Sequence, residues 1–86
     1  FELIHVIATV EIVPGQHEAF LAEFHRLMPL VHAEAGCLEY GPTTDAVTDI
    51  AAQVPRRPDH VTIVEKWSGL PALKAHLTAA HMQEYR

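Results

Sequence analysis

His76 and His81 are the side chains best suited to chemistry in this sequence. Imidazole exchanges a proton near neutral pH, so a histidine beside an apolar space is a candidate general base. Both histidines fall in a segment of helical spacing. At 100° per residue, with Leu73 set at zero, His76 projects at about −60° and His81 at about +80°. They flank the stripe Leu70, Leu73 and Leu77 on opposite edges, so each could border a space between helix and sheet. A separation of about 140° is poor geometry for two ligands of one metal. A histidine pair at i, i+4 and an HExxH motif are both missing, so no metal is expected. The competing reading makes both histidines half-buried, hydrogen-bonded structural residues.

Glu65 and Trp67 are two apart on a strand and share one face. If that face meets the helices, Glu65 could orient a histidine or bind a hydroxyl. Trp67 could donate its indole N–H or form an aromatic wall. A core tryptophan with Glu65 in a salt bridge is an equally good reading. Tyr40 could contact a substrate, against the plainer role of an ordinary strand tyrosine. Cys37 reads as a small buried side chain. His25 and His32 project about 20° apart near the polar edge of a helix and read as solvated. His5 and His60 sit on strands without an evident partner.

These residues need elements to place them. Residues 3–13 read as a strand, with Ile4, Val6, Ala8, Val10 and Ile12 on one face and Leu3, His5, Ile7, Thr9, Glu11 and Val13 on the other. Both faces are substantially apolar, which predicts cover on both sides. Pro14 and Gly15 end the strand. A helix follows to about residue 35, with Phe20, Phe24, Leu27, Met28 and Val31 as its apolar stripe and Pro29 as a source of local distortion. Gly36 is a helix stop. Residues 37–44 form a second strand, residues 45–58 a loop, and residues 60–67 a third strand with Val61, Ile63, Glu65 and Trp67 on one face. Ser68 is expected to cap a last helix beginning near Leu70, with Pro71 in its first turn. The order β-α-β-β-α predicts an α+β, ferredoxin-like βαββα(β) fold without its last strand. Two helices can cover one face of such a sheet, and a second copy of the chain is the simplest cover for the other.

Composition bounds the function. The 86 residues make one domain, covering positions 1–86, and 49% hydrophobic with 20% charged residues is a globular balance. A net charge of −5 without a basic patch argues against nucleic acid. No apolar run approaches the roughly 20 residues of a membrane span. A single cysteine permits no intrachain disulfide and suits a reducing, cytoplasmic compartment. The chain opens at Phe1, so a removed targeting segment stays open.

Four stretches together carry a resemblance. They are Pro14-Gly15 before Phe20, Glu34-Ala35-Gly36-Cys37-Leu38-Glu39-Tyr40, Val64-Glu65-Lys66-Trp67, and Ala72-Leu73-Lys74-Ala75-His76-Leu77 followed by His81-Met82. In register over nearly the whole chain, they resemble the antibiotic-biosynthesis monooxygenase superfamily, in particular its quinol monooxygenase branch. The resemblance implies a dimeric α+β barrel. It also implies oxidation of a small electron-rich aromatic, such as a quinol or polyphenol, by O2 without cofactor or metal. Family members often carry proline where Ala35 and Ala80 stand, and usually continue into a fourth strand. The expectation is that truncation or disorder accounts for that strand.

Cofactor-free oxygenation requires a base to take the phenolic proton and an apolar pocket that admits O2. His76, His81 and Glu65 are the catalytic candidates, and Trp67 and Tyr40 the substrate-binding ones. The pocket is expected between the sheet and the last helix, lined by Trp67 and at least one of the two histidines. The alternative is a ligand-binding or structural dimer of the same fold without turnover. Haem degradation, known among relatives, fits less well, because its site uses an asparagine and this sequence has none.

Overall fold

Two valine- and isoleucine-rich runs of period two and the stretch after Gly36 become three strands, and the two segments of helical spacing become helices. The computed structural model describes residues 2–80 and residue 82. The elements are β1 (Ile4–Glu11), α1 (His17–His32), β2 (Cys37–Thr43), β3 (His60–Trp67) and α2 (Leu70–Leu77). The sheet order is β1-β3-β2, and β3 is antiparallel to both neighbours. β1 and β2 therefore run parallel, and such a pair needs a crossover, which α1 provides. This is the ferredoxin-like arrangement, with β1 at a sheet edge among the described residues.

The core is the seam between α1 and the sheet. Phe24, Leu27 and Val31 of α1 are buried against Tyr40 of β2 and Trp67 of β3. Phe20 and Met28 pack at its margin, so the whole apolar stripe of α1 faces inward. On β3, Val61, Glu65 and Trp67 are buried, as the alternation predicts. On β1, Ile4, Val6, Ala8 and Val10 turn inward while the opposite face stays open, with Ile7 65% exposed. The second apolar face of β1 is thus uncovered in the single chain.

Three expectations are corrected. α1 ends at His32, with Ala33 as its C-cap, and does not reach residue 35. Ser68 does not cap α2. The N-cap is Gly69, and the Ser68 amide instead donates to the Gly36 carbonyl at 2.8 Å. The leucines are not the buried stripe of α2, because Leu70 and Leu77 are 49% and 48% exposed. Ala72, Leu73 and His76 form the inward side. The inward side lies roughly 85–90° around the helix from the leucine axis, the rotation that brings His76 onto the sheet.

The loop between β2 and β3 is pinned at its neck. Arg57 donates from its backbone N at 2.9 Å, from Nε at 2.8 Å and from an Nη at 3.2 Å to the Asp45 carboxylate. These bonds hold the Asp45 carboxyl down to about 2. Inside the neck, Gln53 donates to the Ala46 carbonyl and is bonded to Thr48, while Val47, Ile50 and Val54 remain exposed.

Gly36 joins the end of α1 to the start of α2. Its φ is +84°, a conformation that costs an L side chain strain. A Cβ there would also lie 2.5 Å from both the Ala72 Cβ and the Ser68 Oγ. Gly36→Ala should therefore cost about 2–4 kcal/mol, combining the backbone and overpacking penalties. Urea denaturation measures this, and a change below about 1 kcal/mol would show that the turn relaxes freely.

Candidate active site

The inward face of β3 delivers two side chains to one place. Glu65 and Trp67 are i, i+2 neighbours, and the Trp67 indole N–H donates to Glu65 Oε1 at 2.9 Å. Trp67 is fully buried, so its N–H requires this acceptor. α2 adds His76, 2% exposed, with its ring centroid 4.6 Å from that of Trp67. β2 adds Tyr40, whose ring stacks on Phe24 at 5.2 Å and meets His76 edge-on at 5.5 Å. The structure therefore brings together four of the five residues singled out in the sequence. His81 lies outside the described residues.

The turn after α1 supplies a fifth group that the sequence reading missed. The Glu34 carboxylate oxygens lie 3.0 and 3.1 Å from His76 Nδ1. On the other side of the ring, Nε2 stands 3.9 Å from Glu65 Oε1, too long for a hydrogen bond. The imidazole thus sits between two carboxylates, bonded to one and near the other. Glu34 is 42 positions from His76, beyond the reach of any local periodicity. The available signal was its place at the head of the stretch Glu34–Tyr40 that carries the family resemblance, two positions before Gly36.

Other candidates separate from this cluster. Cys37 packs at its margin, where burial first, and then the Glu34 and Glu65 charges, push the thiol up. It is a packing residue rather than a nucleophile. His32 is not simply solvated, since its Nε2–H donates to the Tyr40 carbonyl at 2.8 Å, tying α1 to β2. Among the described residues, no three His, Cys, Asp or Glu side chains are arranged to hold a metal ion. No described helix is long and apolar enough to cross a membrane.

Trp67 and His76, two of the residues expected to line a pocket between the sheet and α2, are buried at 0% and 2% exposure. A cavity of about 520 Å³ does lie between the start of β1 and the first turn of α2, lined by Ile4, Ser68, Leu70, Pro71 and Ala72 among others. Ala72 is one turn before His76 on the same side of α2, so the cavity and the imidazole share one helix face.

The fold and this cluster define a small α+β domain of ferredoxin-like plan with a histidine–carboxylate centre beneath a single helical layer. The antibiotic biosynthesis monooxygenase family model matches residues 3–86, and the chain belongs to that family. It is 35% identical over 85 residues to the probable quinol monooxygenase YgiN of Escherichia coli K12, covering 96% of this chain and 81% of that protein. Protein SO0527 from Shewanella oneidensis superposes with a TM-score of 0.79 at 28% identity, over 96% of this chain and 72% of that one. A conserved protein from Methanosarcina mazei Go1 shares the fold, with a TM-score of 0.80 at 23% identity over 95% and 72% of the two chains.

The buried Trp67–Glu65 bond makes a separable prediction. Glu65→Leu leaves the indole N–H without an acceptor in the core and should cost about 1–3 kcal/mol. Glu65→Gln keeps an acceptor and should cost clearly less. Denaturation followed by Trp67 fluorescence compares the two, and equal losses would show that the bond is not what matters.

Proposed function

We propose that the protein is a cofactor-independent monooxygenase that oxidises a small electron-rich aromatic, of the quinol or polyphenol class, with O2. The observation that supports this best is His76, a buried imidazole bonded at Nδ1 to Glu34 and walled by Trp67 and Tyr40. Family membership and the likeness to YgiN support the reaction class. The phenolic O–H gives its proton to His76, and the resulting anion passes electrons to O2. One oxygen atom is inserted into a ring C–H bond and the other leaves as water with the two hydroxyl hydrogens, so a quinol, ending as the hydroxyquinone, supplies all the electrons. The apolar surroundings exclude bulk water from the anion. The substrate enters through the cavity beside Ala72, and Trp67, Tyr40 and Glu65 fix its ring and hydroxyl. His81 is the alternative base.

Oxygen uptake by metal-stripped protein with a panel of hydroquinones tests this reading. Turnover is expected, and His76→Ala should lower kcat by about 10²–10⁴-fold. Because His76 is part of the core, His76→Gln serves as the better-filled variant, with thermal melts to establish that both fold. Full activity in the His76 variants and greater loss in His81→Ala would move the base to His81. Full activity in all of them would remove histidine catalysis. The complete burial of His76 in the single chain favours a second reading, a ligand-binding dimer without turnover. Saturable quinol binding without oxygen uptake would establish that alternative.

The same reading includes a homodimer packed sheet to sheet. Its support is the open face of β1, where Ile7 stands 65% exposed opposite Val64 of β3. The interface should exceed about 1,000 Å² of buried surface. Sedimentation at micromolar concentration should give twice the monomer mass, and a monomer there would contradict the assembly.

A further inference from the structure

We propose that Glu34 is the positioning residue for His76, holding the ring in its Nδ1–H form so that the Nε2 lone pair faces the Glu65 and Trp67 side. This deepens the oxygenase reading above and rests on it for its catalytic consequence. A neutral imidazole has one N–H, and the partner of one nitrogen decides which nitrogen carries it. An ionised carboxylate only accepts, and both Glu34 oxygens lie within 3.1 Å of Nδ1. The proton therefore belongs on Nδ1, and Nε2 is left as the acceptor. Glu65 Oε1 stands 3.9 Å from Nε2, too long for a hydrogen bond. Nε2 lies on the side where Glu65 also receives the Trp67 N–H.

The backbone shows how Glu34 is held there. Its amide donates to the Val31 carbonyl, and its carbonyl accepts from the Cys37 amide at 3.2 Å. Gly36 then locks the turn against α2 through the Ser68 amide. The carboxylate is thus delivered by a turn tied to the helix that carries His76. At 15% side-chain exposure, Glu34 is also the more solvent-accessible partner of the 2% exposed imidazole.

Two-bond ¹H–¹⁵N spectra of the full chain labelled with ¹⁵N-histidine read the protonation of each ring nitrogen, and His76→Gln identifies the His76 signals. The expected wild-type pattern is a protonated Nδ1 and a bare Nε2. Glu34→Gln should keep that pattern, because its amide carbonyl still accepts. Glu34→Ala should yield a mixture of the two neutral forms. If the alanine variant fails to fold, Glu34→Met supplies similar length without a comparable acceptor. With a turned-over quinol, loss of the acceptor should lower kcat by about 10–100-fold with KM little changed, and Glu34→Gln should rescue most of it. A wild-type ring carrying its proton on Nε2, or on both nitrogens, overturns the proposal. So does an unchanged pattern in Glu34→Ala or Glu34→Met. Failure of every quinol to turn over would sink the oxygenase reading instead, while the nitrogen spectra would still decide the role of Glu34.

Discussion

A buried imidazole has to be given partners, and satisfying His76 organises much of what surrounds it. An unpaired polar group in this core would cost about 1–3 kcal/mol, a large share of the stability of a small domain. Glu34 answers Nδ1, Glu65 answers the neighbouring indole, and the two aromatic rings fill the remaining contact surface. The partners come from three places outside α2: Glu34 from the turn after α1, Tyr40 from β2, and Glu65 and Trp67 from β3. The cluster therefore joins parts of the chain that share no local signal. A helix with a clean leucine seam would be free to settle on its leucines. Here α2 turns those leucines half outward to seat a histidine, trading apolar burial for a satisfied polar network.

That trade explains which parts of the structure the sequence disclosed. β3 was legible to the residue, because period-two alternation in His60–Trp67 admits one assignment of faces. α1 was legible for the same reason at helical period, since five apolar residues mark one stripe. The joining of Glu65 and Trp67 followed directly from their spacing. α2 misled, because its strongest pattern, Leu70, Leu73 and Leu77, is not the side it buries. Eight residues offer too short a pattern to fix a helical phase when one polar contact pulls against it. Ser68 misled in a related way. It is a good capping residue one position too early, since the N-cap is Gly69 and no side chain caps the helix. Glu34 was invisible as a site residue, because only the tertiary fold brings positions 34 and 76 together.

Among the described residues the sheet is covered on one side. Through its thinnest axis the molecule measures 16 Å, room for one sheet and one layer of helix. A domain of this size leaves much of its apolar surface in water whatever its fold. The consequence falls on β1, whose inner residues are only half-buried beneath the helices and whose outer residues are open. The core proper lies further across, where α1 crosses β2 and β3, and the histidine cluster sits at its edge. Such a placement buries His76 and Trp67 while leaving His76 one helical turn from the surface cavity beside Ala72.

The Asp45–Arg57 clamp bears on how this chain can vary in length. By fixing the neck, three hydrogen bonds separate the entropy of closing the loop from the identity of the residues beyond it. Closure cost grows only logarithmically with length, at about 0.6 kcal/mol for each doubling. Residues 46–56 are therefore a place where insertions and deletions are thermodynamically cheap. Strand register would not feel them, since β2 and β3 are already aligned below the neck, from Thr43 opposite Thr62 onward. The histidine cluster, at the far end of β3, is insulated from such changes by the length of the sheet. Length can thus drift in the loop while the packing at the other end of the same strand stays constant.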